Sequence, residues 1–118
     1  MGKVIEEKSF EFSVEVIKKA GTIKADAQRY GMTSQLVRSA TSIGANISEA
    51  KYAQSGKDFL SKHKIALKEA NEAIYWLRLL GAVQMMEENT VCELLAQAEE
   101  LIRIITAIIR TTSKKIDG

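Results

Sequence analysis

The 118-residue sequence predicts an all-α fold, an up-down-up-down four-helix bundle, on three observations. It contains no Pro and only 7 Gly, and its wealth of Ala, Leu, Ile, Glu and Lys favours helix nearly throughout. Apolar residues recur at spacings of three and four, the repeat that lines one face of a helix. Short polar breaks then divide the chain into four segments of roughly 20 residues, each about 30 Å long as a helix, which suits antiparallel neighbours joined by short turns. One domain over residues 1–118 accounts for this length, since a chain of this size buries roughly two thirds of its unfolded surface in a single core.

The first helix is expected over residues 9–29, with Phe10, Val14, Ile17, Ala20, Ile23 and Ala27 as its inner line and a stop near Tyr30-Gly31. The second is expected over residues 34–54, with Thr33 or Ser34 as N-cap and Leu36, Ala40, Ile43, Ile47 and Ala50 repeating 4-3-4-3. Ser55-Gly56 breaks that pattern. A third helix over residues 57–80 then turns Leu60, His63, Leu67, Ala70, Ile74 and Leu77 inward and ends around Gly81. The polar stretch Glu87-Glu88-Asn89-Thr90 caps a fourth over residues 90–112, with Val91, Leu95, Ala98, Ile102, Ile105 and Ile109 inside and a frayed tail from Thr112.

Charge and composition exclude several function classes. Lys and Arg number 17 against 15 Asp and Glu, a net charge of +2 that permits a polyanionic partner without requiring one. A single Cys cannot form an internal disulfide, which suits a reducing compartment. The N-terminal run Met1 to Lys8 is charged, so no signal peptide is expected, and no apolar run approaches the roughly 20 residues of a membrane helix. A cytoplasmic location with no membrane contact is the expectation.

Outer faces carry the candidate functional residues. At 100° per residue, Ile65, Glu69, Glu72 and Trp76 fall together on the side of the third helix opposite its inner line, with Leu79 at the margin. Trp and Ile on one outer face favour an interface between copies over scattered surface apolars. Arg38 and Glu49 on the second helix are placed to pair with Glu69, Glu72, Lys64 or Lys68, orienting such an interface. Arg38, Glu49, Ile65, Glu69, Glu72 and Trp76 are therefore the candidate assembly residues. Gly44 in mid-helix costs about 1 kcal/mol relative to Ala, which either a tight helix crossing or simple tolerance explains. Asn46 sits at the seam edge, where an amide bonding across a helix pair fixes register.

On the fourth helix Arg103, Arg110 and Lys114 lie within about 40° of one another, with Lys115 following, as a basic stripe and candidate nucleic-acid contact. Cations near a helix C-terminus are also favoured by the macrodipole. Several copies aligning such stripes would make a multivalent, salt-sensitive surface.

Catalytic constellations are missing. One His and one Cys cannot form a Cys/His metal cluster, and Leu60 stands three residues before His63 where a di-iron bundle has Glu. There is no Gly-rich phosphate loop and no Gly-x-Ser-x-Gly elbow, and Cys92 has only His63 as a candidate acid/base. No enzyme activity, cofactor or metal is expected. His63 and Cys92 are expected to be ordinary helix residues.

The run Leu36-Val37-Arg38-Ser39-Ala40-Thr41-Ser42-Ile43-Gly44-Ala45-Asn46-Ile47-Ser48-Glu49-Ala50, followed by Lys57-Asp58-Phe59, Lys68-Glu69-Ala70-Asn71-Glu72 and Tyr75-Trp76-Leu77, resembles the four-helix-bundle proteins encoded in intervening sequences of bacterial 23S rRNA genes. The likeness spans nearly the whole chain, and Arg38, Asn46, Glu49, Glu69, Glu72 and Trp76 match the signature positions. It implies a left-handed bundle, a ring-shaped homopentamer and no catalytic activity; some members carry a ribosomal-protein label. The family is also similar to accessory proteins of diversity-generating retroelements, which bind nucleic acid and associate with a reverse transcriptase. Two functions follow as expectations: a homo-oligomeric RNA- or nucleic-acid-binding module, or a scaffold that docks a partner enzyme such as a reverse transcriptase.

Overall fold

Four helices are present in the computed structural model, which describes residues 2–24 and 31–117. They are α1 (Gly2–Ala20), α2 (Met32–Ala50), α3 (Gly56–Ala82) and α4 (Glu88–Asp117), and no strand occurs among the described residues. Each helix packs on the next and α4 returns to α1, so the four occupy the corners of a square with α1 diagonal to α3 and α2 diagonal to α4. Gly44 of α2 lies against Ser9 and Ser13 of α1, Gly56 at the start of α3 against Ile116 near the end of α4, and Gly81 against Val91. With Ser13 bonded to the Ala40 carbonyl between α1 and α2, and Arg38 paired with Glu69 while Glu49 pairs with Lys62 between α2 and α3, those registers make sequential helices antiparallel, as an up-down bundle requires. The molecule measures 50 × 21 × 19 Å.

α1 differs most from its expected form. It begins at Gly2 rather than Ser9 and stops at Ala20, where Gly21, Thr22 and Ile23 turn back through hydrogen bonds to the carbonyls of Ile17, Lys19 and Ala20. The expected continuation over Ala25 to Tyr30, with Ala27 and Arg29, lies outside the described residues. Its core line is Ile5, Ser9, Phe12, Val16, Ala20 and Ile23, while Phe10 is 70% exposed, Ile17 is 51% exposed and Val14 is only half-buried. Rotation about the helix axis is the reason. Gly44 lies against α1, where a Cβ added to it would stand in ordinary contact at 3.5 Å from Ser13 Oγ and 3.6 Å from the Ser9 carbonyl oxygen, so the small residues Ser9 and Ser13 are the ones that face α2. With Ser9 in the contact, a step of 100° per residue carries Ile5, Phe12 and Val16 inward and Phe10 and Ile17 outward.

α2 buries Leu36, Ala40, Ile43, Ile47 and Ala50, as its 4-3-4-3 spacing predicts. Its start does not follow expectation. Gly31, at φ 77°, is the N-cap, and no side chain caps the helix. Thr33 lies buried within the first turn, its hydroxyl without a hydrogen-bond partner among the described residues. Glycine suits this place because the left-handed backbone strains any residue with a Cβ. α3 starts from Ser55, whose Oγ accepts from the Asp58 N–H at 3.0 Å, and the Asp58 carboxylate favours the positive end of the helix.

The inner lines of α3 and α4 are each turned from their expected setting. α3 buries Ala66, Ala70, Ala73, Leu77 and Leu80, with Leu60, Leu67 and Ile74 half-buried at its edge. α4 buries Val91, Leu94, Ala98, Leu101, Ile105 and Ile108, leaving Leu95, Ile102 and Ile109 on the flank. Both helices carry apolar arcs broader than one line, so a spacing of three and four fits more than one choice within the arc. α4 also runs on through Lys114 and Lys115 to Asp117, where fraying was expected from Thr112. Cations in its last turn complement the helix macrodipole.

Candidate functional site

The α2–α3 seam gathers most of the candidate assembly residues, and it ties them to one another within the chain. Arg38 Nη1 donates to Glu69 Oε2 at 3.2 Å and Nη2 donates to Glu72 Oε1, so one guanidinium bridges two carboxylates a helical turn apart on α3. Trp76 Nε1–H donates to the same Glu72 Oε1 at 3.5 Å, and Tyr75 meets the indole edge-on at 5.2 Å. Arg suits this place because its planar fork reaches two acceptors at once. Hydrogen bonding to Glu72, then the charge of Glu69, raises the Arg38 pKa above its ordinary value. The bond from Arg38 likewise holds the Glu72 carboxyl below its ordinary 4.5.

The placement of Glu69 and Trp76 on the side away from the core is corrected. Glu69 is 7% exposed, enclosed between α2 and α3, and Trp76 is half-buried against the core cluster. The seam is wide enough that the arc of α3 facing α2 takes in positions the helical wheel puts outside. Ile65 remains exposed at 40%. Glu49 pairs with Lys62 at 3.0 Å, a partner that the spacing did not single out, and Glu49 raises the pKa of that lysine through the hydrogen bond and its charge. Asn46 donates to the carbonyl of Ser42 in its own helix at 2.8 Å, so its bond runs within α2 rather than across the seam.

The α4 basic line stands clear of the bundle. Arg103, Arg110, Lys114 and Lys115 are all exposed, and none of them forms an ion pair among the described residues. Continuous helix holds Arg103, Arg110 and Lys114 on one side over roughly 16 Å, a spacing that phosphates along a nucleic-acid strand can meet. Arg110 and Lys114 border a shallow recess with Thr106, Ile109 and Asp117. Lys115, a further 100° round the helix, points off this line.

Two remaining sequence candidates are structural in setting. His63 is buried, its Nδ1 lies 3.0 Å from the Phe59 carbonyl oxygen, and its ring packs on Phe59 at 4.3 Å. Cys92 is an exposed free thiol. Among the described residues no group of three or more His, Cys, Asp or Glu is placed to hold a metal ion, and no helix is long and apolar enough to cross a membrane.

The sequence reading missed an outer apolar face. Phe10, Val14 and Ile17 border a groove of about 510 Å³ between α1 and α2, whose other wall is Thr41, Gly44, Ala45 and Ser48. The signal was present as two apolar lines on α1, Ile5-Phe12-Val16 and Phe10-Val14-Ile17, of which only one can face the core.

The comparisons agree with this architecture. No curated protein matches the chain. Its fold superposes with a TM-score of 0.87 on the crystal structure of a protein of unknown function from the S23 ribosomal protein family of Bacteroides thetaiotaomicron, 38% identical, over 92% of this chain and 97% of that one. The family model of the 23S rRNA-intervening sequence protein matches residues 3–107, which take in α1, α2, α3 and most of α4, and the chain thus belongs to that family, whose function is not established.

Proposed function

We propose that this protein is a non-enzymatic homo-oligomer that binds RNA or another nucleic acid through cationic lines contributed by several subunits. The observation that carries the reading is the α4 line of Arg103, Arg110 and Lys114, with Lys115 beside it, exposed and without ion-pair partners among the described residues. One such line makes too few phosphate contacts for tight binding, whereas copies held side by side multiply them. The pentameric ring implied by the family resemblance, and the family's link by name to 23S rRNA, support the same reading. On this reading Ile65 and Trp76 contribute to the surface between copies, and Arg38, Glu49, Glu69 and Glu72 order that surface from within each subunit.

Light scattering of the purified protein, read together with co-purifying absorbance in the nucleic-acid band, tests the first half. Binding to 23S rRNA fragments at low salt tests the second. The affinity should fall steeply as salt rises, and Arg103→Glu with Arg110→Glu should abolish it while leaving the mass unchanged. A protein that scatters as one chain, or one that ignores RNA at low salt, overturns the reading.

A further inference from the structure

Lys64 and Lys68, expected as partners for Glu49, form no ion pair among the described residues, and neither does Lys57. All three are exposed. At 100° per residue they fall within about 40° of one another, opposite the buried Ala66, Ala70 and Leu77, and so make a second cationic row in each subunit. The carboxylates of α3 do not cancel it. Asp58 accepts from the Gln54 N–H at 3.3 Å, and Glu69 and Glu72 are held by Arg38.

This row matches the α4 row in height. Gly56 lies against Ile116 and Gly81 against Val91, contacts the same number of residues apart on both helices, which fixes the antiparallel register. In that register Lys57 stands level with Lys114, Lys64 with Arg110 and Lys68 with Arg103, each to within about 3 Å. No carboxylate occurs on α4 between Arg103 and Lys114; Glu99 and Asp117 stand beyond the two ends. Leu67, Ile102 and Ile109, half-buried, fall by the same angles on the seam between the rows.

We propose that the α3–α4 face binds a double-helical segment of nucleic acid, one backbone on each row. Both rows point away from the core on axes about 8–10 Å apart, so their charges stand roughly 15–20 Å from each other. One phosphate chain can follow either row but not both, whereas a duplex offers two chains. A site for an unpaired strand needs aromatic faces on which bases stack. The seam between the rows is aliphatic, and the exposed Tyr75 lies beyond Lys68, past the matched heights. The contacts are therefore to phosphate and sugar, which follow the shape of a double helix rather than its sequence.

This inference rests on the nucleic-acid reading above and names the form of nucleic acid it takes. Fluorescence anisotropy of the full chain at low salt, with a short RNA duplex, a DNA duplex of the same sequence and their separated, non-self-complementary strands, tests it. A duplex should bind about tenfold or more tightly than any of its strands. Lys57→Ala with Lys64→Ala and Lys68→Ala should weaken duplex binding about tenfold or more and reduce the slope of log affinity against log salt by roughly 3, with the mass by light scattering unchanged. Lysine acetylation of the wild type, read by mass spectrometry, needs no variant. Bound duplex should protect Lys57, Lys64, Lys68 and Lys114, while the exposed Lys3 and Lys18 on the diagonal α1 stay reactive. Strands that bind as tightly as both duplexes, a triple variant that binds as the wild type does, or α3 lysines that stay as reactive as Lys3 would each overturn the duplex site and leave the α4 reading standing. A wild type that binds no nucleic acid at low salt overturns both.

Discussion

α1 and α2 cross at Gly44, and they show opposite relations between spacing and burial. α2 carries one apolar line, and each of its expected members, Leu36, Ala40, Ile43, Ile47 and Ala50, is buried. Its remaining positions are largely Ser, Thr, Gln, Arg, Gly, Asn and Glu. α1 carries two lines at the same period, and burial follows Ile5, Phe12 and Val16 while Phe10 and Ile17 face outward. A period of 3.6 states that a helix is amphipathic and gives the angle between its residues; the zero of that angle comes from the neighbour. For α2 one apolar arc sets that zero unaided. For α1 it is set by Ser9 and Ser13, the small residues that let Gly44 approach.

The largest test of this contrast is a pair of alanine substitutions on α1. Phe12→Ala, at a position 1% exposed, should destabilise by about 3–5 kcal/mol in urea denaturation at every protein concentration. Phe10→Ala should change the stability of the isolated subunit by no more than about 0.5 kcal/mol. Equal costs would show that α1 is rotated differently. The crossing itself comes next. Gly44→Leu must push α1 and α2 apart and should cost about 1–3 kcal/mol by overpacking. Gly44→Ala adds a Cβ at ordinary contact distance from Ser13 and Ser9, and the gain in helix propensity should stabilise by up to about 1 kcal/mol in thermal unfolding. A destabilised Gly44→Ala protein would mean that the crossing is tighter than its distances indicate.

Smaller effects are expected from the α2–α3 seam. Arg38→Ala leaves the enclosed Glu69 carboxylate without its partner, and the melting temperature should drop, though less than for Phe12→Ala. Arg38→Lys should recover only part of the loss, because an ammonium cannot bridge both carboxylates as the guanidinium does. The smallest effect is acid dependence. The folded pKa of Glu72 lies below its ordinary 4.5, chiefly because Arg38 hydrogen-bonds to the ionised form. Its contribution to stability is therefore full above pH 4.5 and is lost as pH falls through the lower folded value. Glu72→Gln should flatten the acid limb of a plot of unfolding free energy against pH, and an unchanged limb would remove Glu72 from this role.

The remaining differences between spacing and structure have the same origin. α3 and α4 have apolar arcs broad enough that Leu67 and Ala66, or Ile102 and Leu101, are both acceptable inner residues by spacing, and the bundle buries Ala66 and Leu101 more deeply. The Arg38–Glu69–Glu72 set was legible as a meeting of charges, because charge and face are properties of the residues themselves. That it closes within one chain was not legible, since the depth of a seam depends on how far two helices approach. The basic line on α4 was legible for Arg103 and Arg110, and Lys114, beyond the expected helix end at 112, joins it because α4 runs on to Asp117.

Sequence alone settles the helical class, the break at Ser55-Gly56, the burial of α2 and the alignment of Arg103 with Arg110, all of which follow from propensity and a fixed angle per residue. Packing selects which line of α1 enters the core, encloses Glu69 and leaves Phe10 and Ile17 outside. Those choices compare one helix with another, and the energy that makes them arises only where two surfaces meet.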